Sequence, residues 1–459
     1  MIDSITGEKL ANEVLKQIKE KTGKLVFPID PFKLLKDNGI HILLKDFEKL
    51  DGIIINDEDN FTVVGINNNR SLFRQRFTAA HEYCHFIKDL KKETGKNNII
   101  KCLKNSQTSI ERFADSFAAN LLMPRDELYK ICYKYKNKNG FVDFENVTII
   151  AEYFGVSFSS CINSIAYDLN MIDGDITSKA LKMRIKNYKP TQQREKLIKD
   201  KIDNQLLSNM INSLSYNMLD LNRYTGVKFL QNYIYFDNKL EGINIDRKEL
   251  NYILADLNYN MENSKFFDVQ SESVCMTLGN LELQKYVLTT KDKISIKECS
   301  NLHCLLYKYV PYPDDNGKYR GNDAILKRGT IQPISFWEIS RKINQLDEEL
   351  QKMINNLEKY NINEYIDEVV SMIYKFIVIH PFKDGNGRIS RALLNWMLSL
   401  KKLPPIYVDD ECREEYYESL SSIDLKNNYI PLAMFVKKRI IRTMMDLYSF
   451  LFDEDIEFK

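Results

Sequence analysis

No stretch of this chain stays apolar and uncharged for anything near the roughly 20 residues that a membrane-spanning helix needs. The opening segment, MIDSITGEKLANEVL, lacks the apolar core of a signal peptide. Eight cysteines are scattered without a C-x-x-C pair, which argues against a disulfide scaffold and suits a reducing compartment. The expectation is a cytoplasmic protein with no membrane partner. Net charge is also missing: 65 basic residues face 64 acidic ones, so no global field draws the chain to nucleic acid. There are no internal repeats, no Walker A loop and no G-x-G-x-x-G. Histidine is scarce, with five in 459 residues.

A chain of 459 residues exceeds one ordinary core, so two or three domains are expected. Hydrophobic residues at 44% and charged residues at 28% are ordinary for a globular protein. The densest chemistry lies between His380 and Arg391, in HPFKDGNGRISR. The glycines of Gly385-Asn386-Gly387 let backbone N–H groups approach a phosphate. The run RISRALLNWMLSL has helical apolar spacing, so a helix starting after the glycines aims its positive end at an anion. Upstream, YIDEVVSMIYKFIVI is helical and apolar, so His380 emerges from a buried helix. His380 is the natural general base, its free pKa lying near the operating pH. Asp384 can hold Mg²⁺. Arg388 and Arg391, three apart on a helix, can both face a polyphosphate. A plain turn and a core histidine would explain each part singly, but not the ordered set.

HPFKDGNGRISR resembles the signature of the Fic family, H-x-F-x-[D/E]-G-N-G-R-x-x-R, with every fixed position filled. The resemblance implies an all-α domain that transfers AMP from ATP to a Ser, Thr or Tyr hydroxyl of a target protein. In it His380 would deprotonate the hydroxyl and Asp384 would hold the metal. Gly385, Asn386, Gly387, Arg388 and Arg391 would seat the phosphates. Some relatives transfer other groups, so the donor is inferred.

The second constellation is His81-Glu82-Tyr83-Cys84-His85, an H-E-x-x-H. On a helix both histidines share one face and can bind one metal, with Glu82 beside it as general base. A third ligand is wanted, and Glu111 opens an amphipathic helical stretch at 109–122. Thr108-x-x-Glu111 also fits a capping box, so ligand and cap stand level on the residues alone. The lead RFTAAHEYCH, then ERFADSFAANLLMP, then FGVSFSSCINSIAYDLNMI resemble the ImmA/IrrE family of metallopeptidases. That resemblance implies Zn²⁺ or a similar ion on His81, His85 and Glu111, and a repressor or antitoxin protein as substrate. Asp115 stands where that family more often has Asn.

Ile- and Val-rich runs at 40–44, 52–56 and 62–67 predict a small sheet. Residues 1–175 are therefore expected to form an α+β metallopeptidase-like domain. The basic stretch 176–204 reads as a linker, and 205–459 as an all-α Fic domain. Within it, NDAIL and TIQPI around Lys327-Arg328-Gly329 predict a hairpin flap able to hold a target peptide. Asp237-x-x-x-Glu241-Gly242 resembles the Fic family's inhibitory motif, [S/T]-x-x-x-E-[G/N], and implies that Glu241 pairs with Arg391. Asp237 replaces the usual Ser or Thr and is expected to keep a helix cap. The primary reading is a self-inhibited protein adenylyltransferase with a linked metallopeptidase domain. One rival is a peptidase whose Fic domain senses nucleotide. Another is a non-catalytic, nucleotide- or metal-gated interaction module. A homodimer is left open.

Overall fold

The computed structural model describes residues 6–56, 61–90, 98–103, 108–174, 178–188, 192–214, 223–260, 271–290, 295–310, 316–326 and 331–452. The chain divides into two compact units, Met1–Ser215 and Tyr216–Lys459.

The first unit opens with α1 (Gly7–Thr22) and α2 (Pro31–Asp37). Pro31 stands at the first position of α2, and the Asp30 side chain accepts from the Phe32 and Lys33 N–H groups. The sheet comprises β1 (His41–Lys45), β2 (Leu50–Asn56), β3 (Thr62–Asn67) and β4 (Asn98–Leu103) in the order β1-β3-β2-β4. β1 runs parallel to β3, and β2 is antiparallel to both β3 and β4. Three strands match the apolar runs of the sequence; β4 is an addition. Buried Ile53, Ile54, Val64 and Ile66 supply the sheet's share of the core.

Helix α3 (Leu72–Lys88) packs on β2 and β3, and α4 (Ser109–Leu122) packs on α3. Close approach of α3 to the sheet depends on Gly52, where a Cβ would come within 2.4 Å of Thr78 Cγ2 and 2.6 Å of Glu82 Oε1. Helices α5 (Arg125–Tyr135), α6 (Phe144–Phe154), α7 (Phe158–Tyr167), α8 (Lys179–Asn187) and α9 (Gln192–Ser213) complete the unit. The basic stretch expected as a linker thus carries α8 and the start of α9, and α9 packs on α2 and α6. No single helix among the described residues is long and apolar enough to cross a membrane.

The second unit is helical: α10 (Arg223–Leu240), α11 (Arg247–Asn260), α12 (Glu272–Thr289), α13 (Cys299–Leu306), α14 (Ile339–Asn355), α15 (Ile362–Ile379), α16 (Asn386–Leu400), α17 (Arg413–Lys426) and α18 (Ile430–Phe452). Its centre is the α15–α16 pair, flanked by α12, α13, α14 and α18. An Asn361–Glu364 capping box starts α15, and Tyr365, Ile366, Val369, Val370, Ile373 and Phe376 form its buried face.

The expected flap differs from a hairpin. No strand is assigned among the described residues of 316–335, and Lys327, Arg328 and Gly329 lie outside the described residues. The two arms are instead joined by one buried guanidinium: Arg320 donates to Asn322 O at 2.7 Å and to Ile334 O. Such a side-chain clamp needs no ladder register, which explains why strand-like composition does not become a strand here.

Gly279 on α12 sets how closely α13 packs, because a Cβ there would stand 1.9 Å from Leu306 O. In an open helix Gly→Ala gains about 1 kcal/mol. Here overpacking, typically about 1–3 kcal/mol, should win. Gly279→Ala is expected to lower the melting temperature of the full chain by several degrees in a thermal melt; a rise would contradict this packing.

Candidate active sites

The second unit's site begins where α15 ends. His380 caps that helix in the left-handed region, φ 47°, ψ 60°, and its N–H reaches Phe376 O at 3.0 Å. This conformation turns the chain sharply out of the core. Arg320 holds the turn, its Nε donating to His380 O at 2.7 Å and its N–H to Pro381 O at 2.8 Å. Burial lowers the His380 pKa from its ordinary 6.5, and the Arg320 guanidinium pushes the same way. The Ile377 carbonyl and the carboxylates of Asp384 and Glu241 oppose both. The ring is therefore neutral at neutral pH, as a general base requires.

The loop then closes on itself. Asn386 Nδ2 donates to Phe382 O at 2.8 Å, and Asn386 Oδ1 accepts from Phe382 N at 3.0 Å. Its amide is thus committed to the shape of the loop. Gly385, φ 78°, caps α16 against Tyr307, whose ring lies 2.9 Å from where a Cβ would be. Asp384 Oδ2 accepts from Tyr307 Oη at 2.7 Å, and Arg388 Nη2 lies 3.5 Å away. Partial burial raises the Asp384 pKa, but Tyr307, Arg388 and the Gly385 N–H outweigh it and hold the carboxyl below its ordinary value. It stays ionised, as a Mg²⁺ ligand must.

Arg388 and Arg391 do not share one partner. Arg388 is buried with its Nη2 3.0 Å from Tyr307 Oη. Arg391 faces α10, donating from Nε to Asp237 Oδ1 at 2.5 Å and from Nη2 to Glu241 Oε1 at 2.6 Å. The Glu241–Arg391 pair is the one expected from the motif. Asp237 departs from expectation: it lies inside α10 rather than capping a helix, and the nearby guanidinium turns its carboxylate into the core. Gly387 completes the arrangement. A Cβ there would stand 2.6 Å from Glu241 Oε1 and 3.1 Å from Arg391 Nη1. The Glu241 carboxylate therefore sits at the start of α16, where backbone N–H groups and a guanidinium converge on an anion.

Three contributors escape the motif. His303 and Tyr307, four apart at the end of α13, brace the loop from behind. Gly317 N donates to His303 Nδ1 at 3.0 Å, so Nε2 carries the proton toward Asp384 O, 3.2 Å away. The ring also stacks on Phe382 at 4.1 Å. Arg320 is the third. The scarcity of histidine was the one sequence signal that could have pointed to His303.

In the first unit, His81 and His85 turn their Nε2 atoms toward each other at 3.0 Å. Glu111 Oε2 lies 3.2 Å from His81 Nε2, and Oε1 3.6 Å from His85 Nε2. One ligand atom from each of the three falls within 4.8 Å of the others. The cap and ligand readings of Glu111 separate cleanly: Thr108 Oγ1 accepts from the Glu111 N–H at 3.3 Å, while the carboxylate turns to the histidines. The outer nitrogens are held too, His81 Nδ1 by Asp115 at 2.9 Å and His85 Nδ1 by Asp89 at 2.7 Å. Carboxylates on the outer nitrogens are the usual way in which histidines that bind a metal are oriented. Glu82 is fully buried with neither oxygen hydrogen-bonded, and burial raises its pKa to about 8, with Glu111 adding and His81 opposing. A buried carboxyl without a partner, beside three convergent donors, fits a divalent cation and its water.

Two family models match this chain, the IrrE N-terminal-like domain over residues 35–165 and the Fic/DOC family over residues 293–398. The chain joins an IrrE N-terminal-like domain to a Fic domain. Its curated relatives include proteins named protein adenylyltransferase Fic. That of Nematostella vectensis is 23% identical over 288 residues, covering 61% of this chain and 62% of the relative. That of Drosophila erecta is 28% identical over 187 residues, covering 40% and 35%. The chain thus spans between about a third and three-fifths of the length of these relatives. Among solved structures, Fic-1 (residues 134–508) of C. elegans aligns with a TM-score of 0.45 at 19% identity, covering 68% of this chain and 88% of that one. A Fic domain containing signaling protein of Bacteroides thetaiotaomicron aligns with a TM-score of 0.43 at 21% identity, covering 56% and 99%. The Fic model begins after α10 and α12, so Asp237, Glu241 and Asn280 lie outside it.

The convergent donors of the IrrE-like domain predict about one equivalent of Zn²⁺ or a comparable ion per chain. The double variant His81→Ala, His85→Ala should lose it, read by elemental mass spectrometry of purified protein. Wild-type protein that takes up no ion from zinc-replete buffer would contradict the site.

Proposed function

We propose that the Fic domain transfers AMP from ATP to a hydroxyl side chain of a target protein, and that Glu241 holds it in check. The observation that carries this reading is the Glu241 carboxylate seated between Gly387 and Arg391. A seat that receives the chain's own carboxylate is built to receive an anion. Relatives named protein adenylyltransferase support AMP as the transferred group.

The roles follow from the geometry. His380, neutral and aimed out of the α15 terminus, takes the proton of the target hydroxyl. The hydroxyl oxygen bonds to the α-phosphorus, the bond from that phosphorus to its bridging oxygen breaks, and pyrophosphate leaves. Asp384, oriented by Tyr307 and Arg388, would hold Mg²⁺, which supplies charge neutralisation for the phosphates. The Gly385–Gly387 turn and Arg391 grip the outer phosphates. While Glu241 occupies Arg391 Nη2, those phosphates cannot take that position, and in-line geometry at the α-phosphorus is lost.

For the IrrE-like domain we infer a metal-dependent peptidase acting on a protein partner, such as a repressor or antitoxin. His81, His85 and Glu111 would hold Zn²⁺ or a similar ion, which supplies Lewis-acid activation of water. Glu82 would accept the proton. At about 8 its pKa is too high for a base at neutral pH; the charge of a neighbouring cation would bring it down.

Purified protein incubated with labelled ATP and Mg²⁺ tests the transfer. His380→Ala should slow labelling by about 10²-fold or more with an unchanged circular dichroism spectrum. Undiminished labelling would contradict the mechanism. The pH profile gives a second check. A base whose pKa is lowered stays deprotonated further into acid, so the acid limb of the labelling rate should have its midpoint below the ordinary histidine value of 6.5. A midpoint above that value would contradict the buried, Arg320-facing environment of His380.

A further inference from the structure

We propose that Asp237 is the fixed anchor of Arg391, keeping its guanidinium aimed at the anion seat after Glu241 has left. This rests on the reading that the seat takes a phosphate of the nucleotide donor. Arg391 meets its two carboxylates through different nitrogens, Nε to Asp237 and Nη2 to Glu241. The two acids differ in their freedom to leave.

Asp237 is 3% exposed and lies in the last full turn of α10. Its second oxygen, Oδ2, accepts from Asn280 Nδ2 of α12 at 2.9 Å. Asn280 also donates to Asn238 Oδ1 at 3.3 Å, and Asn238 donates to Thr277 Oγ1 at 2.8 Å. Asp237 is therefore tied into a buried polar network that joins α10 to α12. Moving it would strand both its own charge and that of Arg391. Glu241 lies beyond the last residue of α10, ahead of Gly242 at φ 79°, and its side chain is 23% exposed. Rotation of that side chain carries its carboxylate into water, where an ionised group is well solvated.

The guanidinium geometry divides the work. With Nε held by Asp237, the edge carrying Nη1 and Nη2 remains turned toward the start of α16, with Nη1 3.1 Å from the position of a Gly387 Cβ. Departure of Glu241 opens that edge for a bidentate grip on a phosphate. An unanchored arginine would lose this orientation and have to regain it on each binding event, with the rotamer entropy of a long side chain against it. Ser or Thr, the residues of the inhibitory motif at this position, would offer a shorter and uncharged acceptor. This chain has a carboxylate there and a matching asparagine, Asn280, behind it.

The rival role for Asp237 is a second anion that competes with phosphate, and the two roles part on substitution by Asn. The amide oxygen of Asn still accepts from Nε but carries no charge. The test is calorimetric titration of MgATP into the full chain carrying Glu241→Gly, with His380→Ala included to prevent turnover. Adding Asp237→Ala should weaken MgATP binding about tenfold, the size expected for one lost charge-assisted hydrogen bond. Adding Asp237→Asn instead should leave affinity within about threefold of the parent. Should the alanine variant unfold, Asp237→Ser takes its place and should also bind more weakly than Asp237→Asn. Unchanged or tighter binding by Asp237→Ala, or tighter binding by Asp237→Asn, overturns the anchor. Weakening by Asp237→Ala while Glu241→Gly leaves affinity and labelling unchanged would uphold the anchor and overturn the Glu241 brake. A parent that binds no MgATP overturns the nucleotide reading and the anchor with it.

Discussion

A single guanidinium organises the Fic domain. Arg391 is 7% exposed, and a buried charge left unpaired typically costs about 3–5 kcal/mol. Two carboxylates, Asp237 in the last turn of α10 and Glu241 just beyond it, meet that requirement. The consequence is that the pairing which stabilises the fold also occupies the seat on which the proposed chemistry depends. Exchange of one anion for another escapes the conflict. A phosphate arriving as Glu241 left would keep the guanidinium paired throughout, so opening the site need not cost what stranding the charge would. The helix start at Asn386 adds a second reason for an anion to remain there.

The rest of the domain holds the partners of this exchange in place. α16 is aimed by the left-handed turn at Gly385, which the ring of Tyr307 leaves no room to alter. Arg320 binds the carbonyl of His380 and both described arms of the segment that precedes α14, so His380 and that segment share one clamp. The IrrE-like domain follows the same electrostatic rule with opposite sign. There a cation is wanted: three donors converge, two carboxylates orient the histidines from outside, and Glu82 lies buried without a partner.

What could be read from the sequence was what is local along the chain. HPFKDGNGRISR and HEYCH place their groups through a turn or a helical repeat, so spacing alone conveys their geometry. The Glu241–Arg391 pairing spans 150 residues and was legible only through the resemblance. Groups supplied from elsewhere in the fold were not legible. His303, Tyr307 and Arg320 carry no local pattern, and their value comes from where α13 and the loop after it are packed. Asp237 misled because Asp is a good cap in isolation, whereas here it lies within the last turn of α10, paired with a buried arginine. The arms of the expected flap misled because β-propensity reflects packing more than backbone preference, and a side-chain clamp does the packing instead. Glu111 could not be decided because cap and ligand use different atoms of one residue: its N–H donates to Thr108 while its carboxylate lies against the two histidines.

We propose above that Glu241 and the donor nucleotide compete for Arg391. The most direct test of that competition is the initial labelling rate of wild-type protein and Glu241→Gly at equal, subsaturating MgATP. Couplings of this kind are typically worth about 5- to 150-fold, and the variant should be faster by a factor in that range. Equal rates from two folded, ATP-binding proteins would contradict the account.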